Sequence, residues 1–340
     1  MFFDMLYSAM NAKTPAQKCT EIEALARISN IALASAQSYE SIKSRHSPIY
    51  LLKQPSYVGF CMITHPTRIR RPKHIKSEQS LAKMLHSIVH IEYSAIDLAL
   101  DAMYRFRDLP LSYYHDWLEV VLEEMRHFRL LRECLNALGY EYGDFPVHTQ
   151  LFDAQKATSD ISDRMALLHR GLEANGLDAN PFVVSKIKHF EHTLRDRLLA
   201  VLEVILHDEI AHVKKGNRWW RYSHTNASTQ EFLATLERFR AFYSPPRILN
   251  IQARIQAGFS TEELRMMGRH WETYFYMQYF STKCKGWIPH KSSFNTRNHA
   301  IHKLLSFWHK KTKNIKTRFD IGIKKSVSFI SLKIQKALRL

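Results

Sequence analysis

Two Glu-x-x-His units stand out in this chain: Glu124 with His127, and Glu209 with His212. On a helix, residues i and i+3 lie about 4.5 Å apart along the axis and about 60° apart around it, so both side chains reach one metal ion. A single glutamate precedes each unit by about one helical hairpin: Glu92 before the first, Glu173 before the second. Together they supply four carboxylates and two imidazoles. That is the ligand set of a di-iron or di-manganese site inside a four-helix bundle. Hard carboxylate oxygens with imidazole suit Fe and Mn, and no cysteine stands where structural zinc would use one. With 19 Glu and 19 His in 340 residues, about one Glu-x-x-His is expected by chance. Order therefore carries more weight than number. The gaps between the four elements are 32, 49 and 36 residues, and the longer middle gap suits a crossover between two hairpins.

The elements that must position these groups are helical. One apolar stripe runs through Leu81, Leu85, Ile88, Ala95 and Ala99, with Glu92 in the middle of the series. A second runs through Trp117, Val120, Leu131, Leu135 and Leu138, and contains Glu124 and His127. A third runs through Leu198, Leu202, Ile205 and Trp219, and contains Glu209 and His212. Ionisable groups thus occupy positions where a bundle buries Leu. A buried lone carboxylate costs several kcal/mol, so these must be paired, protonated or bound to a cation.

Around the stripes, residues 14–44 read as a helical lead-in, and Pro48, Pro55, Pro66 and Pro72 punctuate an irregular stretch over 45–75. Long helices are expected over 77–106, over 112–138 (stopped by Gly139) and over 188–222. A linker of about 20 residues follows Gly139, and a shorter helical run starts at Asp160. That run meets GLDANP (176–181), read as a Gly/Asn/Pro turn in which Asp178 serves turn chemistry. No run of period-2 alternation is present, so the fold class expected is all-α. Asp208, next to Glu209, reads either as an acid that orients a ligand histidine from behind or as a solvated acid, and His169, one turn before Glu173, reads as a core or surface histidine or else as an extra ligand or relay. His90 faces away from Glu92 and reads as structural; Tyr93 reads as an ordinary buried tyrosine. GxGxxG, GxxxxGK[ST] and GxSxG are all absent, so nucleotide-fold and hydrolase-elbow readings have no support.

The blocks HIEYSAIDLALD (90–101), EEMRHF (123–128), EANGLDANP (173–181), DEIAHV (208–213) and PPRILNIQARIQAGFSTEELRMM (245–267) resemble a ferritin-like family long catalogued as a domain of unknown function. The resemblance spans about residues 65–270. It implies a ferritin-like four-helix bundle and a di-iron centre held by Glu92, Glu124, His127, Glu173, Glu209 and His212. It implies no substrate. The family is distantly similar to the tRNA-hydroxylating di-iron monooxygenases.

The net charge of +17 is concentrated at one end. Residues 283–340 hold 15 Lys or Arg and one acid, a net +14, leaving +3 for residues 1–282. Ile323, Val327, Ile330, Ile334 and Leu338 share a helical face in this tail. A basic amphipathic helix of that kind binds RNA or an anionic membrane surface, or packs on the body. Four lone cysteines and an N-terminus without a basic segment before an apolar stretch lead to an expectation of a cytoplasmic protein without a secretory signal, peripheral to a membrane if the tail binds one.

The organisation expected is a lead-in over 1–75, a ferritin-like di-metal bundle over 76–225, a C-terminal helical block over 226–280 and the basic tail over 281–340. The function expected is an oxidoreductase with two Fe ions (or Mn/Fe) that uses O2 to oxidise or hydroxylate an organic substrate, a tRNA base among the candidates, with an electron donor still to be named. The alternatives are a ferroxidase or iron-handling protein, and a binding protein with a structural di-metal centre.

Overall fold

The computed structural model of the chain describes residues 2–268, apart from 36, 38, 39, 41–47, 70, 71, 73, 225, 226 and 247. The chain divides into one unit over Met1–Tyr274 and a second over Phe275–Leu340. The second unit, and with it the whole of the basic tail expected over 281–340, lies outside the described residues. The described residues are all-α: α1 (Phe2–Met10), α2 (Pro15–Ala32), α3 (Glu78–Arg105), α4 (Leu111–Asn136), α5 (Gln150–Ala157), α6 (Ile161–Arg164), α7 (Glu173–Lys188), α8 (Arg195–Tyr222), α9 (Thr229–Arg238) and α10 (Ile251–Gln256). Extended pairing among them is limited to one isolated bridge, Ile63 to Val147.

A bundle of four long segments carries the site. Helix α3 packs on α4, α4 on α8, and α8 on α7 and the segment before it. The expected boundaries hold for α3, which starts at a capping box between Ser77 and Ser80. They hold for α4 too, whose chain then leaves through Gly139 at φ +78°. Helix α8 begins at Arg195, seven residues later than the pattern suggested.

Two expectations are corrected. The linker after Gly139 contains a helix, α5, which buries Phe152 and Ala154. The GLDANP segment is no turn: α7 runs straight through Gly176, Asn180 and Pro181. Proline at an interior position removes the hydrogen bond to the carbonyl four residues back. Here that carbonyl, Leu177 O, accepts from the Asn250 side chain at 3.2 Å. Asp178 serves no turn either. It is buried in an ion pair with Arg254 and accepts from the Asn250 backbone N–H at 2.7 Å. A tertiary partner thus supplies what local sequence lacks.

Between α6 and α7 the helix widens into a π-helical stretch over Met165–Leu172. The π-helix closes i→i+5 hydrogen bonds, one residue wider than the α-helix, and occurs frequently at functional sites. The C-terminal block clamps this stretch. Arg170 is buried against the rings of Trp220, Phe232 and Phe259, and it pairs with Glu263 and Asn217. Helix α8 approaches closely at Gly216, where a Cβ would lie 2.8 Å from His169 Cβ and 3.0 Å from its carbonyl carbon. On the opposite side, α1 packs on α3 and α2 on α4. The buried Lys18 ties α2 to Asp97 of α3 and to the Ala9 carbonyl.

Candidate metal centre

Of the four glutamates and two histidines picked out by spacing, Glu92, Glu124, His127, Glu209 and His212 are linked by side-chain contacts across the bundle, whereas Glu173 contacts His169 instead. Glu124, His127 and His212 are fully buried, Glu92 is 4% exposed, and the side chains of Glu173 and Glu209 are 9% and 15% exposed. All but Glu173 come from an apolar stripe that packs in the core, which is why the helices bury them together. Glu92 rides on α3, the first Glu-x-x-His unit on α4, Glu173 at the start of α7 and the second unit on α8.

Glu124 sits between the two imidazoles. Its Oε2 is 3.6 Å from His127 Nδ1 and its Oε1 is 3.0 Å from His212 Nδ1. His127 Nδ1 is also 3.4 Å from Glu92 Oε2, and His212 Nδ1 is 3.7 Å from Glu209 Oε1. These contacts lie within ion-pair distance without hydrogen-bond geometry. Both Glu124 oxygens, Glu92 Oε2, Glu173 Oε2 and the Nδ1 atoms of both histidines are buried without a hydrogen-bond partner. Orphaned buried polar atoms are costly, and here they converge on common points instead of on one another. One ligand atom from each of Glu92, Glu124, His127 and Glu209 falls within 4.8 Å of the other three, a group that could hold a metal ion. The donor set, carboxylate oxygen with imidazole nitrogen, fits a hard or borderline cation.

The outer nitrogens are held in a crossed pattern. His127 Nε2 lies 2.8 Å from Asp208 Oδ2, and Asp208 sits on the helix that carries His212. His212 Nε2 lies 2.8 Å from Glu123 Oε2, and Glu123 sits on the helix that carries His127. Each acid-Glu-x-x-His unit therefore orients the other unit's histidine. Carboxylate acceptors at Nε2 fix the proton there and turn the Nδ1 lone pair inward, the usual arrangement for a metal-binding imidazole. Arg126 pairs with Asp208, and Lys215 lies 4.0 Å from Glu123. Asp208 was expected from its position beside Glu209. Glu123 was missed, although it precedes Glu124 as Asp208 precedes Glu209, and that symmetry was the available signal. His169 Nδ1 lies 2.7 Å from Glu173 Oε1, and its ring packs on Trp117 at 4.1 Å between centroids. His90 is buried between Tyr142 and the His148 carbonyl, away from the site, and Tyr93 is fully buried.

Burial and mutual contacts divide these side chains by charge. Burial, reinforced by Glu124, pushes Glu92 well above the carboxylate range, and the same two causes lift Glu209 to about 7. Burial likewise raises Glu173. Burial opposes the charge on Glu124 as well, but its contacts with His127 and His212 outweigh that and hold it ionised. Burial also disfavours the imidazolium forms. Glu124 and Glu92 nevertheless raise His127 to about 11, and Glu123 and Glu124 raise His212 well above the usual histidine value. A cation taking these nitrogens competes with protons for them, so its binding is linked to proton release.

A family described as "Protein of unknown function (DUF455)" matches residues 11–265. The chain belongs to this family. The match reaches further toward the N-terminus than the resemblance over 65–270 and takes in the lead-in from residue 11. An uncharacterized protein of Haemophilus influenzae is 34% identical over 276 residues, covering 77% of this chain and 92% of that protein. No solved structure matches the chain. Among the described residues, no helix is long and apolar enough to cross a membrane.

Proposed function

We propose that this family member is a ferritin-like di-metal oxidoreductase, holding two Fe ions (or Mn/Fe), that uses O2 to oxidise or hydroxylate an organic substrate. The observation that carries the reading is Glu124, fully buried, with each oxygen turned toward a different histidine and neither hydrogen-bonded. A carboxylate so placed suits a bridge between two cations. Glu92 and His127 would complete one side, and Glu209, Glu173 and His212 the other. The pair of metals would supply the redox chemistry with O2, which no side chain here provides.

The chain's own residues prepare and shield the site. Asp208 and Glu123 hold the imidazoles in the inward-facing tautomer. His169 fixes one oxygen of Glu173 and leaves the other free for a ligand role. The apolar stripes of α3, α4 and α8 exclude water. Glu173 and Glu209 are the least buried members of the set. A tRNA base is one candidate substrate, with the basic tail as its docking segment; an anionic membrane surface is the tail's other candidate partner.

The test is metal content per chain by elemental analysis after expression in iron-supplemented medium, wild type beside Glu124→Ala. About two Fe or Mn per chain, lost in the variant, supports the centre. Well under one metal in the wild type, or equal metal in both, refutes it. Stoichiometry then separates the enzyme from a ferroxidase: an oxygenase retains its metal and consumes reductant, whereas a ferroxidase turns over free Fe(II).

A further inference from the structure

A line of aromatic rings leaves this site and reaches the surface. It begins at His169, whose Nδ1 is 2.7 Å from Glu173 Oε1. Trp117 packs on the His169 ring at 4.1 Å, Tyr113 lies 6.0 Å from Trp117, and Trp219 lies 5.0 Å from Tyr113. Tyr222 follows at 5.2 Å from Trp219. Trp117, Tyr113 and Trp219 are buried, whereas Tyr222 is 58% exposed. The two pairs sit at i, i+4 on α4 and i, i+3 on α8, so the helix faces that carry the metal-site residues also carry the rings. In the other aromatic cluster, the tyrosines Tyr57, Tyr93 and Tyr142 are all buried.

We propose that His169, Trp117, Tyr113, Trp219 and Tyr222 form a one-electron relay that connects the metal centre with a reductant at the Tyr222 surface. The relay rests on the di-metal reading above. Tryptophan and tyrosine are the protein side chains most readily oxidised by one electron, and contacts of this length keep each transfer short. Once O2, the oxidant, has withdrawn electrons from the centre, the centre takes one from Trp117, and the electron deficit passes outward.

Tyr113 donates its hydroxyl to the Ala102 carbonyl at 3.1 Å, an acceptor that cannot take the proton. It therefore bridges Trp117 and Trp219 without being oxidised itself. Trp219 has a base in place: its Nε1 lies 2.7 Å from Asp116 Oδ2, which can receive the indole proton. When the deficit moves on, that proton returns and Tyr222 gives its phenol proton to water. A soluble one-electron reductant then restores Tyr222, which recovers a proton from water. For each electron delivered, the centre is reduced by one, the external donor is oxidised by one, and no proton is gained or lost along the path.

The experiment uses the full chain loaded with Fe(II) and mixed with O2 without reductant, then freeze-quenched for electron paramagnetic resonance, with iron content and O2 uptake measured alongside. The expected result is a tyrosyl radical whose hyperfine pattern changes on incorporation of ring-deuterated tyrosine. Tyr222→Phe, an exposed position losing one hydroxyl, should replace it by a tryptophanyl signal that responds to deuterated tryptophan. Trp117→Phe keeps a ring against His169 and should lower radical yield at least tenfold. Iron binding and O2 uptake without any radical, or a radical unchanged by both substitutions, overturns the relay and leaves the di-metal reading standing. Absence of iron or of O2 uptake overturns both. If Trp117→Phe fails to fold, Tyr222→Phe decides alone.

Discussion

Asp208→Asn is the most discriminating perturbation of the crossed histidine braces. The substitution keeps the shape of the side chain and removes its charge. Asp208 Oδ2 accepts from His127 Nε2 at 2.8 Å, and the pair is closed off by Arg126. Burial works against charge at Asp208, yet the hydrogen bond to His127 and the charges of His127 and Arg126 keep its carboxyl below the ordinary range. It is therefore an anion at neutral pH and a full-strength acceptor. An asparagine can present its amide nitrogen to the ring and favour the wrong tautomer. Loss of such an outer partner typically weakens metal affinity about 10- to 100-fold, which is about 1.4–2.8 kcal/mol. The equivalent change at Glu123 should sit near the lower end. Glu123 is 23% exposed against 9% for Asp208, so solvent partly screens its hold on His212. The assay is competitive titration of Fe(II) or Mn(II) against a chelator of known affinity, with circular dichroism to confirm that the fold persists. Affinity within twofold of wild type for Asp208→Asn, or a larger loss for Glu123→Gln than for Asp208→Asn, would refute the brace argument.

Metal uptake should release protons and strengthen with rising pH. His127 is held protonated up to about 11 and His212 well above its usual value, so at pH 7 each metal displaces at least one proton; proton release in a weakly buffered titration checks this, and uptake that is flat between pH 6 and 8 would count against it. Gly216→Ala should destabilise the chain by about 1–3 kcal/mol, because the new Cβ meets the His169 backbone and Cβ and neither is a flexible chain end. Calorimetry should show a Tm several degrees lower, with impaired metal binding because His169 is displaced. Arg254→Ala leaves the Asp178 carboxylate buried without its partner and should cost about 3–5 kcal/mol. An unchanged Tm in that variant would mean that the clamp of the C-terminal block on α7 is unimportant.

Residues with a role in the site were legible because helical period is a local property. Glu92, Glu124, His127, Glu209 and His212 each interrupt an apolar stripe, and a stripe predicts burial without any knowledge of neighbours. The same pattern located α3 and α4 to within a residue or two. Glu173 was found by its place in the order, since the stripe around it is short. What was misread depended on partners far along the chain. Pro181 and Gly176 signal a turn to any local rule, yet α7 continues because Asn250 and Arg254, some 70 residues on, bond Leu177 O and Asp178. Glu123 lies outside the apolar stripe of α4, and only the register of α4 against α8 brings it to His212.

The amino-acid sequence by itself therefore determined the all-α class, the candidate ligands and the helices that bear them, since those follow from side-chain type at 3.6-residue spacing. The tertiary structure alone decided which outer carboxylate meets which histidine, that both oxygens of Glu124 face different imidazoles, and that a π-helical stretch sets His169 against Trp117. These are matters of distance between helices, and no periodicity within one helix encodes the register of another.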